Sequence, residues 1–198
     1  MLFEQIKVGK DNFAYLIADE VSREAAIVDP SYEPEKVLKR INELDLKLKF
    51  LFNTHGHHDH INGNDYILKN TKAKLVGALD AAEVKVGDED TILLGNKVIK
   101  IIATPGHTAD SVCILVGNKL ITGDTLFIGD VGLTHTREEA WQEFNSLKKI
   151  IALGDDIEIY PGHDYGEIPF ATIAHQKKNN ICIKDVIVND FESFLQDK

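Results

Sequence analysis

The sequence is poor in cysteine, in positive charge and in long apolar runs, and each shortage argues against a class of protein. Lysine and arginine number 22 against 32 aspartates and glutamates, which argues against binding nucleic acid through its phosphates. No apolar run is long enough to span a bilayer. Glu4 and Lys7 stand where the apolar core of an export signal would lie. We therefore expect a cytoplasmic protein that binds neither nucleic acid nor a membrane.

What remains is a chain of ordinary globular composition. It has 198 residues, of which 43% are hydrophobic and 27% are charged, so residues 1–198 are expected to form one domain with its own core. The two cysteines, Cys113 and Cys182, are far apart in the sequence. Cys113 lies in the apolar segment SVCILV, and both are expected to be free thiols in a reducing cytoplasm.

Short apolar segments separated by turn residues predict strands in both halves of the chain. They are LFEQIKV, NFAYLIAD, EAAIVD, KLKFLFNT, AKLVGA, DTILLGNKVIKIIATPG, DSVCILVGNKLITGD and IEIYPGH. Two Gly-Asn pairs, Gly95-Asn96 and Gly117-Asn118, are typical of hairpin turns. Helices are predicted at PEKVLKRINELDL, near 63–69, at REEAWQEFNSLKKIIAL, near FATIAHQKKN and near DVIVNDFESFLQ. This interleaving favours an α/β sandwich with helices on the outside.

The stretch NTHGHHDH contains the densest group of metal-binding side chains in the sequence. It follows directly after the predicted strand KLKFLF. Later in the chain, His107 follows a strand in ATPGH, Asp124 in ITGD and His163 in YPGH. Residues at strand ends can converge on one edge of a sheet, where a rigid scaffold places chemical groups. These motifs therefore predict one composite site rather than four unrelated loops.

The composition of this set favours a metal site over nucleophilic catalysis. It offers five histidines and two carboxylates and no cysteine, namely His55, His57, Asp59, His60, His107, Asp124 and His163. Catalytic zinc sites use histidine and carboxylate, whereas structural ones usually close with thiolates. Seven ligands exceed one tetrahedral ion but suit two adjacent ions that share a carboxylate. Two such ions can hold a bridging hydroxide, lower its pKa and polarise a carbonyl.

Taken together, THGHHDH, GHT, TGD and PGHDY resemble the metallo-β-lactamase superfamily over nearly the whole chain, and TGDTLFIG and YPGHDYG are most similar to its glyoxalase II and persulfide dioxygenase branch. The resemblance implies an α/β fold, the αβ/βα four-layer sandwich of two mixed β-sheets with outer helices. It implies that His55, His57 and His107 hold a first metal and that Asp59, His60 and His163 hold a second. Asp124 would bridge the two, and Asp59 and Asp124 are the carboxylates expected to be catalytic.

Residues beside these motifs are assigned by weaker arguments. His58 lies between ligand positions and is expected to face solvent or support a ligand. Thr54 could orient an imidazole or merely cap a turn. By the resemblance, Tyr165 matches a tyrosine that helps glyoxalase II bind glutathione, and a packed aromatic is the alternative. His135 and His175 are expected not to be ligands.

The resemblance implies a metal-dependent hydrolase in which a hydroxide that bridges two divalent ions attacks a thioester or related acyl substrate. Zinc is the expected metal, and iron is the alternative. One alternative is a persulfide dioxygenase in which His55, His107 and Asp124 hold a single iron. A metal-binding protein without catalysis is the alternative of another class. The expected partner is a small-molecule substrate, and a dimer is compatible with the sequence.

One position departs from the pattern of these relatives. Both kinds usually carry an arginine or lysine soon after TGD that helps to hold glutathione, whereas Leu133 stands there in GDVGLTHT. The departure weakens the expectation that glutathione is the thiol carrier. It leaves the expectation of a hydrolase unchanged.

Overall fold

The computed structural model describes residues 1–198, and the first half of the chain forms a six-stranded mixed sheet. Its strands lie in chain order: β1 (Leu2–Val8), β2 (Asn12–Ala18), β3 (Glu24–Val28), β4 (Lys47–Phe52), β5 (Lys74–Gly77) and β6 (Val84–Lys85). The first three are antiparallel and the last four are parallel. Parallel neighbours need crossover connections. Here α1 (Pro34–Glu43) joins β3 to β4, and α2 (His58–Ile61) and α3 (Asn64–Asn70) join β4 to β5.

The second half forms another six-stranded mixed sheet. Its strands are β7 (Thr91–Leu94), β8 (Lys97–Ala103), β9 (Val112–Val116), β10 (Lys119–Gly123), β11 (Glu158–Pro161) and β12 (Ala171–Thr172), again side by side in chain order. The two predicted Gly-Asn hairpins are confirmed, since they join β7 to β8 and β9 to β10. Gly95 and Gly117 have φ values of 56° and 61°, which a residue without a side chain adopts readily. The parallel pair β10–β11 is connected through α4 (Arg137–Ile151).

The molecule has four layers, as its three apolar clusters show. One cluster lies between the sheets and contains residues of both, such as Tyr15, Phe52 and Ile114. A second lies between the first sheet and its helices and includes Val37, Ile41 and Ile67. The third packs α4 and the helical C-terminal segment on the outer face of the second sheet. The expected fold, two mixed sheets with outer helices, is therefore confirmed.

Helix α4 buries the apolar residues that its helical spacing predicts, but it also buries two polar side chains. Thr136 and Glu139 form a capping box that satisfies backbone donors at its start. Ala140, Phe144, Leu147 and Ile150 are buried as predicted, and Ile151 packs against them partly exposed. Two polar residues, Glu143 and Ser146, are buried beside them.

The C-terminal part of the chain corrects two predictions. The segment near FATIAHQKKN begins as strand β12 and becomes α5 (Ile173–Asn179) only afterwards. The single helix predicted near DVIVNDFESFLQ is wrong, because the chain forms α6 (Ile181–Val188) and α7 (Phe191–Asp197). Asn189 takes a left-handed φ of 60° and ends α6, and the Asp190 side chain accepts from the Ser193 N–H to begin α7. Asparagine is the residue other than glycine that tolerates this conformation best.

The strand ends that carry the chemical motifs lie at one edge of the sandwich. In the second sheet β8, β10 and β11 run in the same direction, so His107, Asp124 and His163 follow neighbouring C-terminal ends. The Val112 N–H donates to the Thr54 carbonyl at 2.8 Å, and the Phe13 N–H donates to the Gly162 carbonyl at 2.8 Å. These main-chain bonds fasten the two sheets together where the motifs meet.

Two further features bear on the sequence-based expectations. No helix combines the length and the apolar composition that a bilayer crossing requires. Both cysteines are buried and free, as expected for isolated small apolar side chains.

Candidate metal centre

The structure brings the seven predicted side chains together in three overlapping groups. Within each group, one ligand atom of every residue lies within 4.8 Å of the others. The groups are His55, His57 and His107; His55, His60 and Asp124; and Asp59, His60 and His163. Each side chain is delivered by the turn after a strand or by the single helical turn α2. A sequence separation of more than 100 residues thus becomes a cluster a few ångströms across.

The first group consists of three imidazoles at the solvent-facing side of the cluster. His107 Nε2 lies 3.0 Å from His57 Nδ1, and the ring of His55 lies 4.7 Å from that of His57 and 5.1 Å from that of His107. His55 is buried, His107 is partly buried and His57 is exposed. Three ring nitrogens therefore face one point that opens to solvent.

The second group lies deeper. His163 Nε2 is 3.3 Å from Asp59 Oδ2 and 3.3 Å from His60 Nε2. His60 and His163 are buried, whereas the Asp59 side chain is 34% exposed. Asp59 is thus the ligand candidate of this group that an incoming molecule can touch.

Asp124 stands between the two groups. Its Oδ1 lies 3.3 Å from His60 Nε2, and its Oδ2 lies 3.3 Å from His163 Nε2 and 3.7 Å from His107 Nε2. The position needs a glycine opposite it, because a Cβ on Gly162 would come within 2.3 Å of Asp124 Oδ1. One carboxylate therefore faces both sets of imidazoles.

The polar atoms of the cluster fit divalent cations. Buried polar atoms are normally paired with a hydrogen-bond partner. Here His55 Nε2 and Asp124 Oδ1 have none, and the Nε2 atoms of His60 and His163 face each other at 3.3 Å. A cation would satisfy all four atoms, and a donor set of imidazole and carboxylate without thiolate is that of catalytic rather than structural zinc sites.

Three histidines are held in the tautomer that leaves Nε2 free for a metal. His60 Nδ1 lies 3.0 Å from Asp29 Oδ2, and His107 Nδ1 lies 2.8 Å from the Leu133 carbonyl, so each Nδ1–H donates. The Thr54 hydroxyl donates its one proton to Asp29 Oδ2 at 2.6 Å, so its oxygen accepts from His55 Nδ1 at 3.1 Å. Such acceptors fix the orientation and the basicity of metal ligands.

Burial and charge set the protonation of these side chains. Burial lowers the pKa of His55 to about 4 and also lowers the pKa of His107, so both rings are neutral near pH 7. Burial by itself would raise the pKa of Asp124, but the neighbouring rings of His163 and His60 hold that pKa well below its usual value. His55 and His107 are therefore neutral imidazoles and Asp124 is an ionised carboxylate, which are the forms that bind a metal.

Two residues of the site were missed in the sequence. Asp29 is buried at a left-handed φ of 48° and also accepts from the Thr54 N–H at 2.9 Å. Asn12 donates from Nδ2 to Asp59 Oδ2 at 3.2 Å and to the Asp59 carbonyl at 3.1 Å. Asp29 had a usable signal, since it follows strand β3 in IVDP just as Asp124 follows its strand in ITGD. Asn12 had none, because its role depends on a fold-wide contact.

The remaining candidates lie as follows. His58 belongs to none of the three groups and is exposed on α2, and His135 and His175 are also exposed and outside them. Thr54 contacts His55, as the first of its two interpretations held. Tyr165 stacks on the ring of His163 with the ring centroids 4.7 Å apart and an angle of 6° between the ring planes. The residue is 58% exposed. A separate cavity of about 350 Å³ is lined by Ile128, Gly129, Glu167, Ile168, His175 and Asn179.

Comparison with known proteins agrees with this geometry. The family model described as the metallo-beta-lactamase superfamily matches residues 9–88 and 77–163. The probable polyketide biosynthesis zinc-dependent hydrolase PksB of Bacillus subtilis is 33% identical over 184 residues, covering 87% of this chain and 82% of its own length. The hydroxyacylglutathione hydrolase of Pelagibacter ubique is 33% identical over 201 residues, covering 96% and 83%. The crystal structure of ETHE1 from Myxococcus xanthus has a TM-score of 0.89 and 34% identity, covering 99% and 89%.

Proposed function

The chain belongs to the metallo-beta-lactamase superfamily, and we propose that within it this protein is a metal-dependent hydrolase of thioesters or closely related acyl compounds. The observation that carries the proposal is the place of Asp124, which faces the imidazoles of both groups at 3.3 to 3.7 Å. One shared carboxylate between two sets of donors is the arrangement that two neighbouring cations require. The relatives named zinc-dependent hydrolase and hydroxyacylglutathione hydrolase support the same class of reaction.

The proposed ligand assignment follows the three groups. His55, His57 and His107 hold a first cation, and Asp59, His60 and His163 hold a second, with Asp124 shared between them. Zinc is the proposed metal because relatives at 33% identity are named zinc-dependent. Bound cations of this kind lower the pKa of water toward neutrality and polarise a substrate carbonyl.

The side chains of this protein would prepare the reaction by orientation. Asp29, the Thr54 hydroxyl and the Leu133 carbonyl hold the Nδ1–H of His60, His55 and His107, so that every Nε2 points inward. Asp124 would hold a negative charge between the groups. Asp59 is more exposed than Asp124, 34% against 10% for the side chains, and would accept a hydrogen bond from an incoming water.

The thioester class suits a site whose ring nitrogens are proposed to hold cations and so cannot serve as proton donors. A thiol has a pKa of about 8.5, so it leaves as a thiolate without taking a proton in the transition state. An amine or alkoxide leaving group would need a general acid. Since His55 and His107 have lowered pKa values, they are poor proton donors near pH 7.

The thiol carrier is proposed to lie over Tyr165 and to reach the cavity lined by Ile128, since Gly166, the residue after Tyr165, packs on Ile128. Tyr165 forms one wall beside His163, and its ring meets Phe127 edge-on at 5.1 Å. On the His107 side, Leu133 is 65% exposed and offers no charge to a carboxylate of glutathione. We therefore propose a carrier that contacts the Tyr165 ring, apolar Leu133 and the mixed polar and apolar lining of the cavity.

The persulfide dioxygenase remains the second candidate, because His55, His107 and Asp124 also form a set of two histidines and one carboxylate. Such a set typically holds non-haem iron. A metal-binding protein without catalysis is the third. Each candidate predicts a different combination of metal content and turnover.

Elemental analysis of protein purified without added metal, paired with two assays, separates the three. About two zinc ions per chain, with thiol released from S-lactoylglutathione or from an acyl-pantetheine thioester, is the expected result. About one iron per chain with oxygen uptake on glutathione persulfide would replace the hydrolase by the dioxygenase. Tightly bound metal without turnover in either assay would leave only the binding protein.

A further inference from the structure

A buried ion pair lies behind the metal centre and takes no direct part in it. The Glu143 side chain on α4 is fully buried, and the Nζ of Lys198 contacts its Oε2. The Lys198 side chain is 8% exposed. Burial raises the pKa of Glu143 to about 7, while Lys198 and the backbone N–H of Gly132 lower it. Burying an ion pair is costly, and it often adds no stability compared with two apolar side chains in the same place. Stability alone therefore does not explain this pair.

The pair is joined to the metal centre through a short loop. Lys198 Nζ donates to the Thr134 hydroxyl at 2.8 Å. Thr134 follows Leu133, whose carbonyl accepts from His107 Nδ1 at 2.8 Å. The ammonium group therefore ties α4 to the segment that fixes the orientation of the His107 ring.

Helix α4 also supports the backbone on the other side of His107. A Cβ on Gly106 would lie 2.3 Å from Glu143 Cβ and 2.5 Å from its Cα, so Gly106 packs directly on the helix at Glu143. The Ser146 hydroxyl donates to the Pro105 carbonyl at 2.7 Å. The residues before His107 and the acceptor of its Nδ1–H are thus held by the same turn of one helix.

We propose that Glu143 and Lys198 are positioning residues for His107. They hold the Leu133 carbonyl against His107 Nδ1, so that Nε2 points to the first donor group with His55 and His57. The second group has separate supports, since Asp29 holds His60 and Asn12 holds Asp59. The inference rests on the proposed metal-binding role of the site but not on the reaction it performs.

The test measures the affinity for each of the two bound zinc equivalents by competition between the protein and a zinc chelator. Lys198→Met should weaken one of the two equivalents by about 10- to 100-fold, the usual cost of losing an outer partner of a ligand, and leave the other unchanged. His107→Ala should remove the same equivalent. Lys198→Arg, which keeps the charge and a donor, should restore most of the affinity. Cobalt-substituted protein should show the same selective loss in its visible absorption.

Lys148→Met is the matched control, because Lys148 lies on the same helix and donates to Asn189 at 2.5 Å, away from His107. It should leave both equivalents unchanged. If Lys198→Met does not fold, as judged by thermal unfolding of the metal-free protein, Thr134→Val decides. That variant removes only the hydroxyl and should weaken the same equivalent in the same direction.

Several outcomes would overturn the inference. They are unchanged affinity in a folded Lys198→Met or Thr134→Val variant, equal weakening of both equivalents, and an equal effect of Lys148→Met. The proposed function fails separately. Wild-type protein that binds two equivalents but hydrolyses no acyl compound would reject the hydrolase and leave this inference in place.

Discussion

The carboxylate of Asp29 meets Nδ1 of His60 at 3.0 Å, with both side chains at most 2% exposed. The same carboxylate accepts from the backbone N–H and the hydroxyl of Thr54, whose oxygen in turn faces His55 Nδ1. A single buried acid at the end of β3 therefore orients one ligand candidate directly and another through Thr54. It ties the two donor groups to the first sheet.

Replacing Asp29 by alanine should damage both stability and metal binding. It leaves the Thr54 N–H and the His60 Nδ1–H without a buried acceptor, which typically lowers the free energy of unfolding by about 3 to 5 kcal/mol. The affinity for the second metal should fall by about 10- to 100-fold. Urea denaturation and zinc titration measure the two effects. Asp19→Ala is the control, because Asp19 is also buried and accepts backbone N–H groups, but at the opposite end of β2; if it reduced zinc affinity as much, the role of Asp29 would be refuted.

Replacing Asp124 by alanine should abolish hydrolysis and lower the zinc content below two ions per chain. The reason is that the Asp124 carboxylate faces His60 and His163 of the second group and His107 of the first. His58→Ala should retain near-normal zinc content and activity, because His58 is exposed and outside the groups although it lies beside Asp59. Equal damage by the two substitutions would show that the ligand assignment is wrong.

Truncating Tyr165 should affect substrate binding more than metal content. Tyr165→Ala removes an exposed ring that stacks on His163, and we expect KM to rise about tenfold, equivalent to roughly 1.4 kcal/mol, with zinc content unchanged. Tyr165→Phe separates the hydroxyl from the ring. Tyr66→Ala, another exposed tyrosine, serves as the control. Unchanged steady-state kinetics in Tyr165→Ala would remove this residue from the site.

Introducing a cation at Leu133 should change the preference between carriers. Leu133→Arg places a charge on a side chain that is 65% exposed, so the unfolding free energy should change little. The KM for a glutathione thioester should fall severalfold relative to that for a neutral pantetheine thioester, and the gain should shrink as salt is added. A gain for both carriers alike, or for neither, would contradict the view that Leu133 excludes a charge contact.

Acid should release the second metal before the first. Burial alone would lower the pKa of His60, but Asp124 and Asp29 raise it well above its usual value, whereas the pKa of His55 is lowered to about 4. A proton competes with a cation for an imidazole, and the group with the higher pKa takes the proton at the higher pH. Zinc content after dialysis at stepwise lower pH should therefore fall in two stages. His57→Ala, which lacks a ligand candidate of the first group, should show only the earlier stage; release of the first group's metal at the higher pH would reverse this expectation.

The strand ends that carry the ligand candidates could be predicted because their signals are local. An apolar run followed by Gly or Thr and then His107 or Asp124 states both the strand and its end. The Gly95 and Gly117 turns are equally local, since both need a left-handed φ. The resemblance supplied the order of the layers, which the pattern of apolar residues alone left open.

The supporting residues could not be predicted, because their roles depend on pairings between distant segments. In the sequence Glu143 is one more polar position on an amphipathic helix, and its role depends on the packing of Gly106 and Lys198 against it. Asn12 meets Asp59 across 47 positions of sequence. The break at Asn189 was missed for a different reason, since apolar residues continue at helical spacing on both sides of it and conceal the left-handed turn.

The main-chain bonds at the metal edge also govern how the sandwich can open. Val112 to Thr54, Phe13 to Gly162 and Asp164 to Asp11 join the two halves by backbone bonds at this end. At the opposite end, the backbone N–H groups of Asn96 and Gly95 donate instead to the side chains of Asp19 and Glu24. These side chains can change rotamer when water reaches them. Fluctuations that separate the sheets should therefore begin at the end near Asn96, while the edge with the metal-ligand candidates stays joined. Hydrogen exchange would show the amides beside the donor cluster protected longest, so the cation-binding atoms stay assembled even in partly opened molecules.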